Sequence, residues 1–301
     1  MYKSRLFLKY RGGIMMEHIL RPIYQERASD PNTLGAILVE KLDEISPTTD
    51  NIDSILLILV ADAKKPVFTK HYTYEQKHAA MHIVTEKQLR KWLLLGTNKK
   101  IISWLVDGRV IFDRNEFVSS LREEMKNTKD DGRNIKMGIE FAKLIRRYQE
   151  AKVSFDQKDY LDGMIQTMES LTHLARLSII EAGVYPETKV WEQVRFYNAQ
   201  IYNLYETFIM STGELYDRIE NAFQAIDLLI EEYRQECSKH IVGVMSGRER
   251  WTIQQLHEQE EIKNYSINLE VYIEYLIEKG YIDIERVATK SLHVDHRYYR
   301  V

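Results

Sequence analysis

The residues able to do chemistry fall in four places along the chain. Asp50, Asn51 and Asp53 stand immediately ahead of the apolar run Ser54–Val60. Asp and Asn also tolerate left-handed backbone, so turn formation before a strand accounts for the first two without further function. His78 and His82 are four apart, a spacing that lets two imidazoles reach one zinc ion from a helix, although no third ligand stands near and a pair at a strand boundary is the plainer account. His173, Arg176, Lys189 and Trp191 offer one imidazole, two cations and an indole, a set suited to a substrate pocket, while packing and solvated charge also explain each of them singly. Near the C-terminus the basic residues Arg248, Arg250, Arg286, Lys290, Arg297 and Arg300 gather. Lys91, Lys99 and Lys100 read as a solvated edge, and Trp92, Trp104, Trp191 and Trp251 as core or interface residues.

Three kinds of element must position these groups. Met16–Ala28 carries helical spacing, with Pro22 inside it, and is followed by a turn at residues 29–32. Leu34–Val39 and Asp53–Val60 have strand length, and the second is apolar almost throughout, as in a strand buried on both faces. His71–Lys77 is polar and aromatic. Met81–Val84 reads as a third strand, Glu86–Leu95 as a helix closed by Gly96, and Ile101–Leu105 with Arg109–Phe112 as runs flanking Asp107-Gly108, a hairpin-type or strand-entry turn. From Arg114 onward the period becomes helical: 117–125, 135–153, 160–182, 190–210 and 215–233, in the last of which Leu215, Ile219, Phe223, Ile226, Ile230 and Tyr233 form one stripe. This predicts an up-and-down bundle. The tail adds a helix or helix end at 238–245, helices at 252–265 and 267–279, then Gly280 and a strand pair. That order is the winged helix-turn-helix. The expected boundaries are 16–115, 116–235 and 236–301.

Met1–Ile14 is too interrupted to be a signal peptide. Its Arg11-Gly12-Gly13 matches codons resembling a ribosome-binding site, with Met15-Met16 at a suitable distance. Residues 1–15 therefore read as a leader ahead of the true start.

The segment from Leu34 to Val60, with Leu34–Lys41, a loop and Thr49-Asp-Asn-Ile-Asp, resembles the start of the nucleotidyltransferase fold. His173–Gly183 and Tyr185–Trp191 look like the helical substrate domain of antibiotic nucleotidyltransferases. With the terminal winged helix, the order of parts from Met16 onward is similar to a nucleotidyltransferase-like family of bacillus-type bacteria. The resemblance implies an α+β, helix-rich chain: a mixed α/β domain, a helical bundle and a winged helix.

It also implies chemistry. In that family two acids one residue apart on a strand hold Mg²⁺ ions that bridge the nucleoside triphosphate, and a third acid on the neighbouring strand positions the attacking hydroxyl. Here the Gly-Ser slot that precedes them falls on Glu40-Lys41, which places Lys41 near phosphate. The paired-acid slot reads Asn51-Ile52-Asp53, with Asp50 one place early, so the implied metal set is Asp50, Asn51 and Asp53 and the implied catalytic acids are Asp50 and Asp53. The third position offers His82, with Glu86 nearby. An amide in place of a carboxylate keeps an oxygen ligand but loses charge. The expectation is an eroded metal site on a scaffold that still takes a nucleotide or small ligand and acts through protein contacts. If chemistry persists it is Mg²⁺-dependent NMP transfer from an NTP to a hydroxyl.

Composition bounds these readings. Forty-two Lys and Arg against 45 Asp and Glu give a net charge of −3, which argues against gripping nucleic acid by bulk electrostatics. The candidate recognition helix carries Glu270, Glu274 and Glu278 against Lys279, so any DNA contact would be led by Arg286, Lys290, Arg297 and Arg300 in the wing. A protein partner or self-association fits this module better than DNA. One cysteine, Cys237, excludes an internal disulfide and suits a reducing cytoplasm. No stretch approaches the roughly 18 apolar residues of a membrane helix.

Overall fold

A computed structural model describes residues 20–41, 47–126, 130–291 and 293–301. The expected leader, and the first four residues of the helix expected from Met16, lie outside the described residues. The chain divides into two compact units, Met1–Lys126 and Asn127–Val301.

The first unit is built on a five-stranded sheet in the order β3-β4-β2-β1-β5, formed by β1 (Thr33–Glu40), β2 (Ser54–Val60), β3 (Val67–Tyr74), β4 (Lys77–Thr85) and β5 (Arg109–Asp113). β2 and β4 run parallel, and the other neighbours are antiparallel. All seven residues of β2 are buried, as its unbroken apolar run requires of a central strand covered on both faces. One face, carrying Leu38 and Ala79, is covered by α1, a helix whose described part is 20–29, through Leu20, Ile23 and Tyr24. The other receives α2 (Glu86–Leu95), α3 (Lys99–Asp107) and α4 (Phe117–Lys126). At Gly108, which ends α3, an added Cβ would stand 2.4 Å from Ile37 and 2.6 Å from the Trp104 carbonyl, so only glycine lets this crossing form.

Three expectations change here. Ile101–Leu105 is not a strand but part of α3, because Ile101, Ile102, Trp104 and Leu105 share one buried helical face and the Asn98 side chain caps the start. A five-residue apolar run satisfies either period. The polar stretch at His71 belongs to β3, an edge strand hairpinned to β4 through Glu75 at φ 53°. α4, read as the first bundle helix, packs on β1 and β5.

The second unit contains α5 (Asp130–Asp156), α6 (Tyr160–Glu181), α7 (Val190–Tyr197), α8 (Ala199–Met210), α9 (Leu215–Met245), α10 (Ile253–Glu258) and α11 (Leu269–Glu278), then a hairpin of β6 (Asp283–Ala288) and β7 (Asp295–Arg300). Residues 190–210, expected as one helix, break at Asn198, whose φ of −147° ends α7 while its side chain accepts the Ile201 N–H at 3.1 Å to start α8. The stretch 238–245, expected as a helix or helix end, is the end of the helix expected at 215–233, and the two form α9, because Tyr233, Cys237, Ile241 and Met245 continue the buried stripe. Thr252–Tyr265 holds only the short α10 and a 3₁₀ turn, Lys263–Asn268.

α11 does not stand apart from the bundle. Phe141 of α5 meets the rings of Tyr272 and Tyr275 edge-on at 5.9 and 5.7 Å, and the Tyr272 hydroxyl donates to the Cys237 carbonyl at 3.1 Å. Arg146 of α5 donates to Asn268 Oδ1 at 2.9 Å and to the Ile267 carbonyl. No helix among the described residues is long and apolar enough to cross a membrane.

Candidate functional site

In the first unit the chemistry gathers where β1 ends and β2 and β4 begin. A 3₁₀ turn, Pro47–Thr49, leads into Asp50 and Asn51, both left-handed at φ 53° and 62°. They are turn residues, so they do not project from a strand as a metal-binding acid pair does. Asp53 follows as a clasp: its N–H donates to the His78 carbonyl at 3.0 Å, its carbonyl accepts the Lys41 N–H at 2.9 Å, and Oδ2 accepts the His78 N–H at 2.8 Å. One of its two carboxylate oxygens is therefore spent on backbone.

Around this turn stand cations. The Lys100 ammonium, from the start of α3, pairs with the Asp50 carboxylate, and the Lys41 ammonium donates to the Asn51 carbonyl at 3.4 Å. Both ammonium groups thus converge on two adjacent residues. On β4, His78 and His82 flank Ala80, opposite which β3 places His71, so three imidazoles occupy one face of the two strands. Thr69 Oγ1 lies 3.0 Å from His82 Nδ1, and Thr73 Oγ1 lies 3.3 Å from His78 Nδ1. His82 also meets the buried Trp104 ring at 4.8 Å, and the Trp104 indole N–H donates to the Thr48 carbonyl at 2.7 Å. Burial, then the neighbouring His71 and Lys100, lower the His82 pKa, with Asp50 opposing.

A pair of Mg²⁺ ions needs clustered hard oxygen ligands. Here Asp50 is engaged by Lys100, Asp53 by His78, and the third position is an imidazole. Among the described residues no three His, Cys, Asp or Glu side chains gather in a form that holds a metal. These residues do not fit a two-metal site. The alternative pairing of His78 and His82 on one helix fails too, since both lie on β4. Glu86, at the start of α2, is committed to Arg90 at 2.7 Å.

In the second unit, His173 and Arg176 come together on a residue the sequence reading missed. Glu140 of α5 is 3 % exposed; its Oε1 pairs with His173 Nδ1 at 2.7 Å and Arg176 Nε at 2.9 Å, and its Oε2 with Lys143 at 3.2 Å. Burial alone would raise the Glu140 pKa, but Arg176, Lys143 and His173 hold it well below the carboxylate range. Tyr185 lies within the field of this cluster, and burial pushes its phenol up to about 12, with Arg176 opposing. The signal was available: Glu140 sits among Met137, Phe141 and Leu144, an acid inside an inward stripe. Lys189 and Trp191 do not join the cluster. Lys189 is exposed beside Glu192 at 3.9 Å, and Trp191 stacks on Tyr205 with ring centres 3.6 Å apart.

The wing basic residues divide as well. Arg297 bonds Glu274 of α11 at 2.8 Å, Arg250 bonds Glu285 at 2.8 Å, and Arg300 lies 3.7 Å from Asp283. Arg286 and Lys290 are exposed.

A mixed sheet with helices on both faces, a helical bundle and a winged helix, in that order, define a nucleotidyltransferase-like protein. The family model described as nucleotidyltransferase-like matches residues 16–133, that of the YgxA-like substrate binding domain matches 134–233, and that of a helix-turn-helix domain matches 239–301. The uncharacterized protein YgxA of Bacillus subtilis (strain 168) is 44% identical over 284 residues, covering 94% of this chain and 97% of that protein. A crystal structure of a nucleotidyltransferase-like protein from Exiguobacterium sibiricum 255-15 superposes with a TM-score of 0.79 at 34% identity, covering 95% of this chain and 99% of that one. The chain belongs to the nucleotidyltransferase-like family.

Proposed function

We propose that this protein keeps the nucleotidyl-transferring scaffold without its metal chemistry, binds a nucleotide or small ligand on the first unit, and acts in the cytoplasm through protein contacts. The observation that carries this reading is that the acids are engaged: Lys100 holds Asp50 and the His78 N–H holds Asp53, while β4, where the resemblance puts a third acid, carries His82. Acids engaged in this way, with an amide at Asn51 between them, do not offer the clustered carboxylates that clamp a triphosphate through magnesium. The test is transfer of label from α-labelled ATP, with Mg²⁺ or Mn²⁺, to hydroxyl acceptors. No transfer is expected, and Asp53→Ala leaves the result unchanged. Labelled product that disappears in Asp53→Ala overturns the reading and restores an active transferase.

The winged helix serves this reading as a protein-contact module. Sequence readout of DNA needs donors on the recognition helix, whereas α11 exposes Glu270, Glu274 and Glu278, and Arg297 is spent on Glu274. Duplex binding that fades with salt and vanishes in the Arg286→Ala, Lys290→Ala double variant would instead favour a DNA-binding regulator.

A further inference from the structure

We infer that the turn at Asp50 and Asn51 receives the phosphate groups of its ligand directly, on the Lys41 and Lys100 ammonium groups beside the His82 imidazole, without a divalent ion. The inference rests on the nucleotide-binding reading above and gives it a recognition chemistry.

The geometry carries it in three steps. First, the two ammonium groups meet at neighbouring residues of one tight turn, Lys100 on the Asp50 side chain and Lys41 on the Asn51 carbonyl. Second, Asp50 is 69% exposed and its carboxylate is the group now occupying Lys100. Asp50 is thus an internal anion that a ligand phosphate displaces, swinging it into solvent at little desolvation cost. Third, the remaining wall is mostly imidazole and hydroxyl: His71, His78 and His82, with Thr69 and Thr73 bonded to two of them, and the one carboxylate beside them, Asp53, is bonded to the His78 N–H. Such a wall sets two ammonium groups against the single negative charge of Asp53 once Asp50 has swung away. Charge-assisted bonds from ammonium to phosphate oxygen supply the affinity.

The consequence separates this site from a metal site by sign. Where a carboxylate holds magnesium, its removal destroys phosphate binding. Here the removal of Asp50 frees Lys100 and strengthens it. Asp50→Asn is a mild change, because Asn accepts the left-handed backbone at φ 53° as readily as Asp.

The experiment is calorimetric titration of the full chain with ATP and with inorganic tripolyphosphate, each in EDTA and in Mg²⁺. Both ligands are expected to bind in EDTA. Lys100→Ala weakens them by about tenfold, the order of one charge-assisted contact. Asp50→Asn tightens them several-fold, with circular dichroism confirming that each variant is folded. Binding that requires Mg²⁺, or weakening by Asp50→Asn, overturns direct recognition while leaving the nucleotide-binding reading intact. Silence of both ligands under every condition overturns both.

Discussion

Glu140 is a buried carboxylate that folding does not neutralise. Its charge is retained because Arg176, His173 and Lys143 surround it, and removal of one partner leaves that charge stranded. Arg176→Ala is therefore expected to cost about 3–5 kcal/mol, read as a shift in the urea midpoint. The pH dependence follows from the sign of the shift. A pKa lower in the folded than in the unfolded state adds stability above the ordinary carboxylate value, and that stability is lost as pH falls below it toward the depressed folded value. Acid unfolding curves of the native chain should show this loss, and Glu140→Gln should flatten it. Gly138, half a turn away, makes a second prediction: an added Cβ would stand 2.2 Å from the Tyr265 hydroxyl, so Gly138→Ala should destabilise by about 1–3 kcal/mol in thermal melts. At this scale the sequence was only partly readable. His173 and Arg176 were visible as candidates, but their partner lies 33 residues upstream of His173, on another helix, and no local pattern joins them. Lys100 looked like a solvated edge because the turn it grips is brought to it by the sheet.

Elements were legible where period and length agreed. β2 reads as a buried strand because six consecutive apolar residues, Ile55–Val60, rich in Ile and Leu and too few for a helix, stand between turn signals. α3 was misread because its apolar residues are adjacent and few, and only the buried face of the finished helix decides its period. The break at Asn198 was hidden because the apolar spacing continues through it. α9, conversely, was divided by a charged stretch near residue 235 that proves to be its solvent side. Helix starts can be tested individually. Thr252 and Gln255 form a reciprocal capping box at the start of α10. Thr252→Ala should cost about 1 kcal/mol in chemical denaturation, and Thr252→Ser should recover most of it.

At the scale of the molecule, the second unit behaves as one body rather than as bundle plus appendage. Tyr265 and Tyr272 are fully buried, and the Tyr272 hydroxyl bonds the Cys237 carbonyl on α9. The recognition-type helix has its apolar face turned to the bundle and its acidic face to solvent. A fragment beginning at residue 236 would lose α5 and most of α9, and with them the surface that covers those rings. Such a fragment is expected to lack a cooperative melt, whereas 127–301 should unfold in a single transition by circular dichroism. The order of the three family segments was legible from the change in hydrophobic period along the chain. The fusion of the last two was not, because it depends on side chains from Phe141 to Tyr275 that meet only across tertiary distance.

α9 is 31 residues long, which at 1.5 Å per residue makes a rod of about 46 Å. One end is rooted among the helices of the substrate-domain match, and the other lies beneath the module that carries the wing. A tilt of about 5° at the first end would sweep the second by roughly 4 Å on that length. Mechanical leverage of this kind needs no chain of intermediate contacts, only a stiff spar with different tenants at its two ends.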